Sequence, residues 1–159
     1  MTKHNIAPVY NQDSRILILG SFPSVKSREA QFFYHHKQNR FWKVLAFLFQ
    51  EEIPQTIEEK IAFLLKNKIA LWDVIESCEI KGSSDSSITN VKVNDLDLIV
   101  KHCPIEKIIT NGKAADKYYH RYFHYDLPVI SLPSTSPANA TYSLEKLIEK
   151  WQVILWKEI

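Results

Sequence analysis

Apolar and polar residues occur in blocks along this chain, and the apolar blocks are of two kinds. Four short runs are apolar almost throughout, which is typical of parallel strands that are covered on both faces. They occupy residues 15–19 (RILIL), 69–74 (IALWDV), 107–110 (KIIT) and 128–132 (PVISL). The pattern therefore predicts four buried strands.

Longer segments repeat their apolar residues every three or four positions, which predicts helices over residues 56–67, 96–103, 114–122 and 144–155. Thr56, followed by Glu59, has the pattern of a capping box at a helix start. Residues 41–49 are apolar almost all round and predict a deeply buried helix. Strands that alternate with helices indicate an α/β protein, a three-layer α/β/α sandwich around a four-stranded parallel sheet.

Length and composition fit a single domain over residues 1–159, with 45% apolar and 24% charged residues and no linker rich in Gly, Ser or Pro. Cys78 and Cys103 lack metal-ligand spacing, so we expect reduced thiols. The polar N-terminus does not resemble a signal peptide, and no apolar run approaches the ~20 residues of a membrane span. We expect a cytoplasmic monomer that does not enter membranes.

The net charge of +2 does not by itself indicate a nucleic-acid-binding protein, but its distribution is uneven. Five basic residues and one acidic residue between positions 21 and 43 give a local balance of +4. They are Lys26, Arg28, Lys37, Arg40 and Lys43, against Glu29. This stretch could contact phosphates, or it could be an ordinary solvated surface.

Polar residues follow the carboxyl ends of all four predicted strands. They are residues 20–24 (GSFPS), Asp73, residues 111–113 (NGK) and residues 133–137 (PSTSP). Open parallel sheets bind their ligands beyond the carboxyl ends of the strands. The sequence therefore predicts a site at this edge of the sheet.

Residues 20–42 (GSFPSVKSREAQFFYHHKQNRFW) hold the largest number of candidate side chains. Gly20 allows close approach of the backbone to a ligand, and Ser21, Ser24 and Ser27 suit phosphate oxygens. Phe32, Phe33 and Tyr34 could offer a face for a base to stack on, or they could belong to the core. Asn39 could orient a water molecule or read a base edge, or it could simply cap the following helix. The stiff, hydroxyl-rich residues 133–137 could hold phosphates or form a turn before the last helix.

Other chemistries lack support. His120 and His124 have helical ligand spacing, but no third ligand is evident. The chain contains no phosphate-binding loop, no dinucleotide fingerprint and no nucleophile elbow. We expect no metal and no nucleotide or other cofactor.

Residues 16–42 resemble the first motif of the uracil-DNA-glycosylase superfamily, and LPSTSP at 132–137 is placed like its second motif. The hypoxanthine (deoxyinosine) branch and the mismatch-specific uracil/thymine branch are the most similar. The resemblance implies hydrolysis of the N-glycosidic bond of a deaminated base flipped out of DNA, with hypoxanthine favoured. The alternatives are a mismatch-specific uracil/thymine glycosylase and a catalytically silent DNA-binding relative.

Site roles follow from the resemblance. Asn39, in the NRFW element, is the expected catalytic residue. The expected base-binding residues are Gly20, Ser21, Phe22, Tyr34 and Asp73, although Asp73 could equally cap a helix. The expected phosphate-binding residues are Ser24, Arg40, Ser134, Thr135 and Ser136.

The chain departs from the superfamily pattern where many members carry water-activating and base-polarising groups. Phe22 stands where many have Asp, Asn or Glu, and Leu132 stands where His or Asn is common. His35 and Lys37 replace the Gly and Pro that are typical of the hypoxanthine branch. Without an acid at position 22, we expect fixed dipoles and DNA phosphates to carry catalysis. Since no lysine is placed for Schiff-base chemistry, we expect a monofunctional enzyme.

Overall fold

The fold is described by a computed structural model covering residues 1–4 and 6–155. Within these residues there are seven strands: β1 (Thr2–Lys3), β2 (Ile16–Gly20), β3 (Ile69–Asp73), β4 (Ile75–Glu79), β5 (Thr89–Val93), β6 (Lys107–Asn111) and β7 (Val129–Leu132). β2, β3, β6 and β7 form a parallel sheet in the order β3-β2-β6-β7. The predicted α/β class and four-stranded parallel sheet are confirmed.

Burial of the central strands explains why their sequences are apolar throughout. Successive residues of a strand point to opposite faces, and every residue of β2 and β3 is buried. Both faces of the sheet centre are therefore covered, as the unbroken apolar runs indicate.

Six α-helices occur in the described residues: α1 (Val25–Ala30), α2 (Phe41–Leu48), α3 (Ile57–Lys66), α4 (Asp97–Val100), α5 (Lys113–Tyr122) and α6 (Leu144–Trp151). Five were predicted, although the segment predicted over 96–103 forms only a single turn. The helix predicted over 144–155 ends in a 3-10 turn at Gln152–Ile154. α1 was not predicted because its six residues are too few to show a periodic pattern.

Helix starts and packing follow local chemistry. The Thr56 hydroxyl accepts a hydrogen bond from the Glu59 N–H (3.1 Å), so the predicted cap of α3 is present. α2 packs on α6 through Phe41 and Trp151, both fully buried, whose rings meet edge to face at 6.0 Å. Replacing either ring with Ala would cost about 3–5 kcal/mol of stability.

A second, antiparallel sheet of order β1-β4-β5 was not predicted. β5 (TNVKV) is largely exposed and shows no buried apolar run. β4 follows β3 after one residue, and the N–H of Ile75 donates to the carbonyl oxygen of Ser21 (3.0 Å). The β4–β5 connection, residues 80–88, also lies beside the loop that follows β2, since the Ser21 hydroxyl donates to Oδ1 of Asp85 (2.8 Å).

None of the helices in the described residues has the length and apolarity that a membrane span requires.

Candidate active site

A cavity of about 100 Å³ opens at the carboxyl ends of β2, β3 and β6. Ten of the eleven residues singled out from the sequence line it, and Arg40 is the exception. The ten are Gly20, Ser21, Phe22, Ser24, Tyr34, Asn39, Asp73, Ser134, Thr135 and Ser136. The predicted edge of the sheet thus brings together segments that lie far apart in the chain.

The side chain of Asn39 is fixed through its carbonyl oxygen. This Oδ1 accepts hydrogen bonds from the N–H of Phe41 (3.0 Å), at the start of α2, and from the hydroxyl of Thr135 (2.9 Å). The two donors identify which end of the amide is oxygen. The amide nitrogen Nδ2 bonds to no described residue, so it is the group that Asn39 can offer to a ligand. The predicted helix-capping role and a role toward a ligand are thus compatible.

Thr135 connects Asn39 to Asn111 at the end of β6. Asn111 donates from Nδ2 to the Thr135 hydroxyl (3.1 Å), and its Oδ1 accepts from the Thr135 N–H (3.1 Å). Thr135 is fully buried, so it orders Asn39 from behind and is poorly placed to meet a DNA phosphate. We revise its predicted role accordingly.

Asp73 occupies the opposite side of the cavity, where no cation among the described residues neutralises it. Its side chain is 3% exposed, and Oδ2 is buried without a hydrogen-bond partner among the described residues. Burial raises the pKa of the Asp73 carboxyl to about 8, and the charge of Asp85 adds to the rise. Asp73 therefore keeps its proton at neutral pH and is both a donor and an acceptor. It caps no helix in the described structure.

His4 lies 4.0 Å from Asp73 but cannot serve as its counterion. The imidazole Nε2 donates to the Ile75 carbonyl (2.8 Å), and Nδ1 accepts from the Ile6 N–H (3.3 Å). Burial lowers the pKa of His4, so the ring is neutral. Its edge supports Phe22, whose ring centroid is 5.4 Å away.

Gly20 is required by the crowding around it. A Cβ at this position would lie 2.4 Å from Oδ1 of Asp73 and 3.0 Å from the hydroxyl of Tyr34. Contacts under 3.0 Å force atoms to move. The glycine therefore lets the carboxyl and the phenol converge on one end of β2.

Tyr34 has a strained backbone, and only one face of its ring is open. Its φ of 50° is rare for a bulky residue, and such strain is common at functional sites. One ring face stacks on Phe41 (centroids 4.2 Å apart), so only the other face can meet a base. The hydroxyl is buried with no partner among the described residues, and burial raises its pKa well above the ordinary value.

Arg40 is placed differently from the expectation of a phosphate ligand. Its guanidinium donates to the carbonyl oxygens of Thr135, Ser136, Asn139 and Tyr142. These bonds occupy its donors inside the loop that precedes α6. Arg40 thus orders this loop and has little capacity left for DNA.

The three serines predicted to hold phosphates keep their hydroxyl groups near the cavity. Ser24 caps α1 by accepting from the Ser27 N–H (3.2 Å), while its hydroxyl donates to Ser27 Oγ (3.1 Å). Ser134 and Ser136 each accept a backbone N–H two residues ahead (both 3.1 Å). The hydroxyl hydrogens of Ser134 and Ser136 are therefore available for donation.

Asp85 and Asn111 also line the cavity but were not among the predicted site residues. Asn111 belongs to the polar residues that follow the third predicted strand, so the sequence indicated that it lies at the site. Asp85 lies in the loop of the unpredicted sheet, where only a polar run (GSSDSS) marked it. The Ser21 hydroxyl donates to its Oδ1 (2.8 Å).

His120 forms a contact with Asp116 (3.2 Å) on α5. Across residues 1–4 and 6–155, no group of three or more His, Cys, Asp or Glu side chains is arranged to hold a metal ion.

Known proteins share this architecture. A protein named hypoxanthine DNA glycosylase from Methanosarcina acetivorans is 33% identical over 158 residues, covering 97% of this chain and 98% of the relative. Another of that name from Methanosarcina barkeri is 30% identical over 120 residues, covering 74% and 76%. A solution NMR structure of a candidate uracil DNA glycosylase from M. acetivorans superposes with a TM-score of 0.83 at 30% identity, covering 96% of this chain and 95% of that one.

The family model of the uracil DNA glycosylase superfamily matches residues 7–158, almost the whole chain. This match agrees with the resemblance carried by residues 16–42 and 132–137, and with the parallel sheet and its cavity. The chain belongs to the uracil DNA glycosylase superfamily.

Proposed function

We propose that this protein is a monofunctional DNA-deoxyinosine glycosylase, which hydrolyses the N-glycosidic bond of a flipped deoxyinosine and releases hypoxanthine. The observation that carries the proposal is the fixed amide of Asn39, beside a cavity whose motif position 22 offers only a phenyl ring. The names of the two Methanosarcina relatives support the choice of base.

Recognition of the base is assigned to the buried side of the cavity. A protonated Asp73 can donate to O6 of hypoxanthine while it accepts from N1–H, because a neutral carboxyl carries both functions. The free face of Tyr34 and the ring of Phe22 would enclose the base, with Gly20 and Ser21 at its edge. Flipping costs a few kcal/mol and is easiest at a mispaired base, which adds selectivity.

Asn39 acts as a hydrogen-bond donor in this proposal. Because its Oδ1 is engaged by Phe41 and Thr135, Nδ2 is left to hold the attacking water by its oxygen or to contact the departing base. An amide cannot take a proton from water. Its contribution is therefore a preorganised dipole that stabilises the oxocarbenium-like transition state and the leaving group.

Contacts with the DNA backbone are assigned to Ser134 and Ser136, which line the cavity and whose hydroxyl hydrogens are available for donation. Ser24 is not given this role, because its hydroxyl hydrogen is donated to Ser27. DNA containing a deaminated base is the proposed partner. The absence of a cofactor, the monomeric state and the cytoplasmic location remain predictions.

The test compares wild-type protein with Asn39→Ala, Asn39→Asp and the neighbouring control Gln38→Ala. Each is incubated with duplexes containing deoxyinosine or mismatched uracil, and alkali then reveals abasic sites. Asn39→Ala should slow hypoxanthine release by at least ~100-fold, the scale for losing one preorganised polar group. Asn39→Asp keeps the acceptor of α2 but loses the donor, so it should slow release similarly, whereas Gln38→Ala should match wild type.

Each alternative gives a different result. Faster release of uracil than of hypoxanthine would identify a mismatch-specific uracil glycosylase. Binding of both duplexes without release of either base would identify a silent DNA-binding relative. Wild-type release by Asn39→Ala would show that Asn39 is not the catalytic residue.

A further inference from the structure

A wider groove of about 780 Å³ adjoins the cavity on the side of α5. Lys113 and Lys117 line the groove, and three residues line both hollows: Asp85, Ser134 and Ser136. These three residues mark the boundary at which the cavity opens into the groove. Asp85 is the acidic residue among them.

The boundary is where the reacting bond of a flipped nucleotide would lie; this step rests on the proposed function. The base enters the enclosed cavity, while the sugar and phosphates stay outside, where lysines and hydroxyl groups can meet them. The glycosidic bond joins base to sugar, so it crosses the boundary beside Asp85.

Asp85 is held in place at this boundary. Its Oδ1 accepts a hydrogen bond from the Ser21 hydroxyl (2.8 Å), and Oδ2 bonds to no described residue. The loop that carries Asp85 is attached to α1 at two points. The Val25 N–H donates to the Ser83 hydroxyl (2.9 Å), and the Arg28 guanidinium donates to the Gly82 carbonyl (2.6 Å).

We propose that Asp85 is a catalytic carboxylate, supplied by the 80–88 loop in place of the acid that the first motif lacks at Phe22. In the reaction, a water oxygen bonds to C1′ as the C1′–N9 bond breaks. The bonding electron pair leaves with the purine, which takes a proton from solvent, and the proton of the water passes to Asp85. Before that transfer, the negative charge of Asp85 stabilises the oxocarbenium-like sugar.

The surroundings assign different protonation states to the two carboxyls. Partial desolvation raises the pKa of Asp85, but the hydrogen bond from Ser21 lowers it, whereas Asp73 is buried without such a bond. Asp73 therefore holds its proton more strongly than Asp85. Two carboxyls separated in this way can divide the roles of neutral base reader and ionised catalyst.

Other charged and titratable groups also face Asp85. The negative charge of Asp85 contributes to raising the pKa of the Tyr34 phenol and the pKa of the Cys78 thiol. Arg28 lies on the α1 side of the loop, and Lys113 and Lys117 lie across the groove.

The experiment measures single-turnover release of hypoxanthine by wild type, Asp85→Asn, Asp85→Glu and the control Asp126→Asn, an exposed acid elsewhere in the chain. Asp85→Asn should slow release by at least about 100-fold, the scale of general-base catalysis. Its affinity for a duplex with a non-hydrolysable deoxyinosine analogue, followed by fluorescence anisotropy, should be unchanged or tighter. Asp85→Glu should restore part of the rate, and Asp126→Asn should match wild type.

The pH profile separates catalysis from positioning. The wild-type rate should rise with pH as Asp85 loses its proton, and Asp85→Asn should lose this rise. An active wild type with Asp85→Asn within about threefold of its rate would overturn the assignment of Asp85 alone, since a general base contributes far more. A wild type that binds the duplex but releases no base would overturn the proposed function and this assignment with it.

Discussion

The two sides of the cavity differ in how completely their polar atoms are bonded. On one side, Asn111, Thr135 and Asn39 form a continuous chain of hydrogen bonds that ends at the start of α2. On the other, Oδ2 of Asp73 and the hydroxyl of Tyr34 are buried without partners among the described residues. The first side keeps its geometry without a ligand, and the second has its polar atoms ready to pair with one.

This difference suggests two roles for the two sides: the bonded side positions the Asn39 amide, and the unbonded side recognises the base. A buried polar group without a partner costs about 1–3 kcal/mol, so the Asp73 side destabilises the free protein. A base that donates to and accepts from these atoms would recover that cost on binding. Changes on the bonded side should therefore impair placement of the Asn39 amide, the proposed catalytic group, and changes on the unbonded side should alter base recognition and stability.

The largest effect is expected from Gly20→Ala, which crowds the unbonded side. The new Cβ would meet Oδ1 of Asp73 at 2.4 Å and push the carboxyl away from its position beside Tyr34. A misplacement on the scale of 1 Å can reduce rates by ~100-fold, and we expect a loss of that order in hypoxanthine release. Single-turnover assays with a circular-dichroism melt of the variant would measure it. An unimpaired rate would show that Asp73 does not need its present position.

A smaller effect is expected from Thr135→Val, which breaks the bonded side without changing its shape. Asn39 would lose one of the two donors to its Oδ1 and keep the N–H of Phe41, and Asn111 would lose the acceptor for its Nδ2. The loss of a hydrogen bond worth about 1 kcal/mol should slow release by up to ~10-fold, with a comparable loss of stability. Thr89→Val, on the exposed strand β5, is the matched control. Equal rates for the two variants would contradict the positioning role of Thr135.

The last prediction concerns stability rather than rate: Asp73 makes folding stability pH-dependent, and Asp73→Asn should remove this dependence. Because the folded pKa of Asp73 is about 8 and the unfolded carboxyl titrates near its ordinary value, the folded state binds the extra proton between these pH values. Folding stability from this group is present at low pH and is lost as the pH rises toward 8. Urea unfolding at a series of pH values should show a shallower decline for Asp73→Asn. Parallel declines, as expected for the control Asp126→Asn, would show that Asp73 is ionised in the folded protein.

Much of the fold could be predicted because the parallel sheet is covered on both faces. Strands such as β2 must then be apolar at every position, and their polar exits define one edge. The second sheet could not be predicted in this way, since apolar and polar residues alternate only weakly in β5 and most of this strand is exposed. Asp85 was missed for this reason, because its loop joins β4 to β5 and reaches the cavity through hydrogen bonds with Ser21 and with α1.

Individual roles at the site depended on contacts that spacing does not reveal. Asn39 could be singled out from its motif, but the orientation of its amide is set by Thr135, 96 residues later. The sequence predicts Arg40 to be a phosphate ligand because Arg40 is basic and lies in a polar turn. Its donors are instead taken by the carbonyl oxygens of residues 135–142, a set of acceptors assembled only by the folded loop.

Under the proposed function, Arg40 also couples the loop that would contact DNA to Asn39, the proposed catalytic residue. The loop that Arg40 gathers includes Ser136 and is attached immediately next to Asn39 in the chain. A DNA backbone that displaces this loop must also pull on the residue that bears the amide. A poorly seated duplex would thus misalign the amide, so that accuracy of docking becomes a condition for bond cleavage.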